Sequence, residues 1–199
     1  MSKSIVFVRH GESGTNVKYL LSSDIGPYKL TENGIKDVVS IAEEIAKIPK
    51  ISALYTSPVM RTLQTAEIIG KRCDIYPKTD ARLRERLMGG LNNRAFPSYE
   101  EMLDVYRKEI ESGYKTGLES WHTLQQRMRG FVNSVTGRVT VAVSHSDPIM
   151  AMLGTFDPKI DDYDFVTTVP TASITAVDIE KKQILCIGSK SLPEMLKNE

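Results

Sequence analysis

The chain has 199 residues, 41% hydrophobic and 26% charged, which is enough apolar side chain for one sizeable core and the balance of an ordinary globular protein. A formal net charge of +1 removes any whole-molecule attraction to nucleic acid or an anionic membrane, so basic residues that bind an anion must act locally. The apolar runs fall short of membrane-spanning length and Met1-Ser2-Lys3-Ser4 leads directly into a strand-like segment without a signal-peptide core, so a cytoplasmic location with no membrane partner is expected.

The first predicted strand is residues 5–8, an unbroken Ile-Val-Phe-Val run of the kind buried by a sheet covered on both faces. Thr31 is placed to cap a helix whose apolar residues Ile35, Val38, Val39, Ala42, Ile45 and Ala46 recur at three- and four-residue steps, which predicts packing on that sheet. A strand at 53–56 leads into Ser57-Pro58, a cap and a first-turn proline for a second helix. A strand at 74–76 follows. The irregular stretch from Arg82 to Ser98, with Gly89-Gly90, Asn92-Asn93 and Pro97, is either a plain surface connection or a cover over a site.

Ser98 followed by Glu101 spells a capping box for a third helix. Trp121, Leu124, Met128, Phe131, Val132 and Val135 form one stripe of a fourth and read as core. After a strand at 139–143, Asp147-Pro148 opens a shorter helix with Asp147 as its cap. Strands at 172–177 and 183–187 flank the polar turn Glu180-Lys181-Lys182 and predict a hairpin, while the tail from Leu192 carries too little pattern to place. Cys73 and Cys186 are too few and too isolated for a disulfide framework or a structural zinc site and read as buried free thiols. This alternation predicts an α/β fold, a single-domain three-layer α/β/α sandwich with a mostly parallel sheet over residues 1–199.

Chemistry-bearing residues gather where strands end. Arg9-His10-Gly11-Glu12 follows the first strand, and in α/β enzymes that is where ligands bind. An arginine presents a planar fork of donors to an oxyanion, and a neutral imidazole can attack phosphorus. Gly11 is a residue past which a ligand can approach the backbone, and Glu12 is a candidate to orient an imidazole or pair with an arginine. Further on come Ser57-Pro58-Val59-Met60-Arg61-Thr62, Leu83-Arg84-Glu85-Arg86 and Val143-Ser144-His145-Ser146. Three histidines without ligand spacing, no Walker-type glycine loop and no Gly-x-Ser-x-Gly elbow argue against a catalytic metal, a nucleotide loop and a hydrolase serine. His122 lies off its helix's apolar stripe and reads as a surface residue.

Those four segments, in that order along most of the chain, resemble the signature of the histidine phosphatase superfamily, which includes cofactor-dependent phosphoglycerate mutases. The resemblance implies phosphoryl transfer through a phosphohistidine. His10 would be the nucleophile, with Arg9, Arg61 and His145 on the phosphoryl oxygens; Glu85 would protonate the leaving oxygen or activate the incoming one. Arg61 would act from a helix N-terminus, where free N–H groups add to its charge. Asn16 matches a polar position whose amide helps hold the phosphoryl group, and Ser146 can offer its backbone N–H.

The Glu85-Arg86 pair resembles the mutases, in which the arginine helps hold the glycerate carboxylate, and the region carrying Arg94, Arg107 and Lys108 resembles their substrate-covering segment, although shorter. Where a glycine or asparagine commonly follows the second histidine, this chain has Ser146-Asp147. The resemblance thus implies a phosphoglycerate mutase interconverting 3- and 2-phosphoglycerate, with 2,3-bisphosphoglycerate as primer and no metal. A phosphomonoester phosphatase is the first alternative and a non-catalytic phosphate-binding regulator the second. The expected partner is a small phosphorylated metabolite, and a homodimer stays open.

Overall fold

The computed structural model describes residues 3–26, 28–164 and 169–198. Its centre is a six-stranded sheet in the order β4-β3-β6-β1-β7-β8, made of β1 (Ser4–Arg9), β3 (Ala53–Thr56), β4 (Pro77–Thr79), β6 (Val139–Ser144), β7 (Ser173–Asp178) and β8 (Gln183–Ser189). The run β4-β3-β6-β1 is parallel, and β7 and β8 add an antiparallel hairpin at one edge. A minor two-stranded sheet joins β2 (Leu20–Leu21) to β5 (Arg94–Ala95).

Alternate residues of β1 divide the core. Val6 and Val8 face α2 (Glu32–Ile45) and α3 (Met60–Cys73), whereas Ile5 and Phe7 face α5 (Trp121–Ser134) and α6 (Ser146–Leu153), giving the three layers. A third, smaller apolar cluster lies outside both. It gathers Met88, Leu91 and Leu118 with Tyr106 and Ile110 of α4 (Tyr99–Glu111). No described helix is long and apolar enough to cross a membrane.

Several sequence expectations shift. The fourth strand is Pro77–Thr79 rather than 74–76, because Asp74 closes α3 in the left-handed region at φ 51° and the chain must turn before it can pair. Thr31 does cap α2, accepting from Gly34 N, but the buried stripe is Val38, Ile41, Ala42 and Ile45, and Ile35 and Val39 lie exposed. The cap of α3 is Val59, two residues after Ser57, whose hydroxyl is used in the site instead. Ser98 caps α4 through Glu101 N, as its sequence suggests. Cys73 and Cys186 are free but only half-buried. Elements with no sequence prediction are the short α1 (Gly14–Val17), β2, β5 and α7 (Glu194–Lys197), whose Leu196 is fully buried against the α2 side of the sheet.

Candidate active site

The geometry of the site starts from the main chain. β1 and β6 are parallel neighbours with Arg9 opposite Ser144, so the next residue of each strand, His10 and His145, emerges at the same C-terminal sheet edge. His10 N donates to Ser144 O at 3.1 Å, and the two imidazoles meet edge to face with centroids 5.1 Å apart. The loop behind them is pressed onto α2. A Cβ on Gly11 would lie 2.6 Å from Val38 Cγ2, and one on Gly34 only 2.1 Å from Glu12 O. Gly11 is therefore required by helix packing. Glu12 does not orient an imidazole either; its carboxylate accepts from Thr31 Oγ1 at 2.6 Å, tying the loop to the start of α2.

Arg61, in the first turn of α3 and 2% exposed, joins the two histidines. Its Nε donates to His10 Nε2 at 3.1 Å, its Nη2 lies 3.1 Å from His145 Nδ1, and Nη2 also donates to Ser22 O at 3.1 Å. Because a guanidinium only donates, both contacted ring nitrogens must be acceptors. His10 therefore carries its proton on Nδ1, 2.7 Å from Gly11 O, and its Nε2 lone pair accepts from Arg61 Nε. His145 carries its proton on Nε2, which donates to Ser57 Oγ at 3.0 Å. Burial, reinforced by Arg61 and its neighbours, holds both imidazoles neutral, well below the ordinary histidine range.

Arg9 donates to Val169 O at 2.6 Å, and its Nε, like Nη1 of Arg61, is a buried donor without a protein partner among the described residues. Unsatisfied buried guanidinium donors are costly unless an anion meets them. Glu85 stands opposite. Its Oε1 accepts from Arg86 N at 3.0 Å, while Oε2 is 3.6 Å from His145 Nδ1 and 4.0 Å from Arg61 Nη2. Burial first, and the Asp147 carboxylate second, push this carboxyl up to about 7 against the pull of Arg61 and Arg9. A neutral nucleophile, anion donors and a carboxyl that holds its proton near neutrality are what in-line phosphoryl transfer needs.

Arg9, His10, Arg61 and Glu85 line a cavity of about 360 Å³ whose walls also include Asn16, Tyr19, Leu21, Met102, Tyr106, Trp121, Asp161, Asp162 and Asp164; His145 is not among the lining residues and meets the site through Arg61. Asn16 and Ser146 line it, and Asn16 Oδ1 also accepts from Ser13 N and Oγ at 2.9 Å, closing the first turn of α1. Trp121, read as core, is half-buried against the α5–α6 cluster and also walls the cavity. Arg94 and Arg107 do not line the cavity: both are exposed, and Arg94 stacks on the Phe96 ring at 4.9 Å.

Arg86 also lines the cavity, and its guanidinium is engaged by the protein. Its guanidinium grips Asp162 with both arms, at 2.6 and 2.8 Å, gives Nε to Glu119 O at 2.6 Å, and is surrounded by the rings of Tyr106, Tyr114 and Trp121. Asp147 is not the cap of α6, which is His145; its carboxylate instead accepts from the Tyr106 hydroxyl and lies 3.8 Å from Arg86 Nη1. Asp162, Tyr106 and Tyr114 join the site with no local sequence signal beyond the acidic run Asp161-Asp162-Tyr163-Asp164.

Comparison with known proteins places these features in context. A family model described as histidine phosphatase superfamily (branch 1) matches residues 5–188. The 2,3-bisphosphoglycerate-dependent phosphoglycerate mutase of Thermoplasma acidophilum is 32% identical over 202 residues, 98% of this chain and 96% of its own length. Among solved structures, Bacillus stearothermophilus YhfR superposes with a TM-score of 0.77 at 22% identity, covering 94% of this chain and 98% of its own. The alpha-ribazole phosphatase of Shigella flexneri superposes with a TM-score of 0.75 at 17% identity, covering 95% of this chain and 98% of its own. At those identities the two structures speak for the fold alone.

Proposed function

Because the chain belongs to the histidine phosphatase superfamily, we propose that it hydrolyses phosphomonoesters through a phosphohistidine on His10, acting on a small phosphorylated metabolite of the cytoplasm whose body carries little further negative charge. The observation that carries this reading is the charge along the cavity. Among the described lining residues the full cations are Arg9, Arg61 and Arg86, and the third is spent on Asp162. The rest of the lining, here called the outer wall, carries Asp147, Asp161, Asp162 and Asp164, and the charge of Asp162 is met by Arg86. One phosphoryl group is well served. A second phosphate or a carboxylate meets carboxylates at close range, which is unfavourable.

In the first step the ester draws the Arg61 guanidinium to its oxygens, which frees the His10 Nε2 lone pair from Arg61 Nε to attack phosphorus in line; the P–N bond forms as the ester P–O bond breaks, and the proton on Glu85 goes to the departing oxygen. Arg9 Nε and Arg61 Nη1 take up non-bridging oxygens. In the second step water attacks phosphorus, the P–N bond breaks, and the Glu85 carboxylate takes the proton of the water. Phosphate leaves and the starting protonation is restored.

The second reading, a phosphoglycerate mutase primed by 2,3-bisphosphoglycerate, is favoured by the 32% identity to the Thermoplasma enzyme over nearly the whole chain. The residues of the outer wall do not fit the second phosphate and the carboxylate of that primer, since no uncommitted lining cation stands there among the described residues. The test supplies 4-nitrophenyl phosphate, and separately 3-phosphoglycerate with and without the bisphosphate, and measures phosphate and 2-phosphoglycerate together. The hydrolase reading expects phosphate release from the aryl ester and no bisphosphate-dependent 2-phosphoglycerate. Formation of 2-phosphoglycerate faster than phosphate establishes the mutase instead, and inertness in every arm leaves the non-catalytic regulator.

A further inference from the structure

We propose that the group esterified to the phosphate is apolar and elongated, and that Tyr19 and Tyr99 hold its far end at the mouth of the cavity. This inference deepens the hydrolase reading and rests on it, because it names the class of alcohol that His10 would separate from phosphorus. Two runs of chain give the cavity its direction. The first leads from Tyr19 through Leu20 and Leu21 of β2 to Ser22, and all four line the cavity. Tyr19 is 39% exposed, whereas Ser22 is buried and its backbone oxygen accepts from Arg61 Nη2 at 3.1 Å. The second is one face of α4, on which Tyr99, Met102, Leu103 and Tyr106 recur at steps of three and four residues and line the cavity together. Tyr99 is 48% exposed, whereas Tyr106 is buried and its hydroxyl accepts from Arg86 Nη1 at 3.0 Å.

Both runs thus begin at an exposed tyrosine and end at a buried arginine contact, and each is roughly 10 Å long, as three steps of extended chain or seven of helix. At the open end the two tyrosine rings stand 6.4 Å apart, centre to centre. Between them and the arginines the runs present Leu20, Leu21, Met102 and Leu103, whose side chains donate no hydrogen bond. A polyol or sugar body would bury hydroxyls there without partners, whereas methylenes or an aromatic ring gain from the same burial. The position of Tyr19 is held at a cost. Its φ of 44° lies in the left-handed region that bulky side chains rarely enter, and it is fixed there by its N–H on Asn16 O at 3.3 Å and by Phe96 N donating to its carbonyl at 3.2 Å. The cavity, about 360 Å³, is of the size that encloses a small organic ligand.

The test is kcat/KM for phosphate release from a series of saturated esters, ethyl to n-hexyl phosphate, with 6-aminohexyl phosphate as the charged counterpart of the longest. Saturated alkoxides leave phosphorus with nearly equal difficulty, so chain length reports the wall and not the chemistry. Each added methylene should raise kcat/KM about two- to fourfold, the scale of burying one CH₂. The 6-aminohexyl ester should fall below n-hexyl phosphate, although Asp161 and Asp164 also line the cavity. Tyr19→Gly, which suits the positive φ, and Tyr99→Ala, at the exposed start of α4, should each cost n-hexyl phosphate about fivefold more than ethyl phosphate. Tyr99→Phe should keep the wild-type preference, because the ring and not the hydroxyl makes the contact. If Tyr19→Gly does not fold, Tyr99→Ala carries the test. A flat series, a preference for the aminohexyl ester, or a chain-length preference kept in full by the variants that lack a ring overturns the proposal. Release of phosphate from none of these esters, nor from 4-nitrophenyl phosphate, overturns the hydrolase reading itself, a separate outcome.

Discussion

The floor of the cavity and its outer wall are built by different means. On the floor, His10 and His145 sit one residue beyond adjacent parallel strands, so main-chain register sets their separation before any side chain is chosen. The wall depends on side chains far apart in the chain: Arg86 meets Asp162 across 76 positions, and Tyr106 meets Asp147 across 41. A backbone-registered floor can keep one reaction while the wall is recomposed, so reaction class belongs to the first and substrate choice to the second.

The largest contrast comes from removing the proposed nucleophile. His10→Ala should lower turnover on the order of 10⁴-fold or more while leaving the melting temperature nearly unchanged, as seen by single-turnover assay beside calorimetry. Asp162→Asn should do the reverse. It strands Arg86, which is fully buried, and breaking a buried pair costs about 3–5 kcal/mol of stability, to be read from denaturant unfolding. Full turnover in the His10 variant, or an Asp162 variant as stable as wild type, would dissolve the division.

That division also explains what was legible in the sequence. The strands at 53–56 and 139–143 and the Arg9-His10 pair announced themselves because burial on both sheet faces and a motif of consecutive residues are local properties. Glu85, inside an irregular stretch, was reached only through resemblance. The fate of Arg86 was hidden, since a Glu-Arg dipeptide looks the same whether its guanidinium faces a ligand or Asp162. Asp147 beside Pro148 looked like a cap, and nothing local reports a tyrosine 41 positions away that claims its carboxylate. The apolar stripe of α2 was misplaced by including Ile35 and Val39 and leaving out Ile41, because helical period alone leaves the centre of a broad face undetermined.

Within the floor, Arg61→Ala should cost about 10²–10³-fold in kcat, the scale of losing a preorganised donor to a developing oxyanion, and should free both imidazoles from their shared partner. Its loss should also let His10 accept a proton at higher pH, because Arg61 follows only burial among the causes that keep it neutral. The acidic limb of kcat/KM then moves up. The basic limb of the wild type belongs to Glu85 and is expected near pH 7, since the acid form is lost as pH rises through its raised value; Glu85→Gln should abolish that limb with a leaving group that needs a proton.

The smallest effect falls where the mutase reading expects a sizeable one. Arg94 is exposed, stacked on Phe96 in the two-residue strand β5, and Arg107 is exposed on α4; neither lines the cavity. If the wall is as drawn, Arg94→Ala and Arg107→Ala each change kcat/KM for a phosphomonoester by no more than about twofold, in keeping with surface substitutions worth about 0.5 kcal/mol. A grip on a glycerate carboxylate is a charge-assisted contact, and deleting it would cost roughly 1.5–3 kcal/mol, tenfold or more in KM. The same two variants assayed with 3-phosphoglycerate therefore separate a wall that excludes a second anion from one that closes around it, and a tenfold rise in KM for either variant would return the outer wall to the mutase.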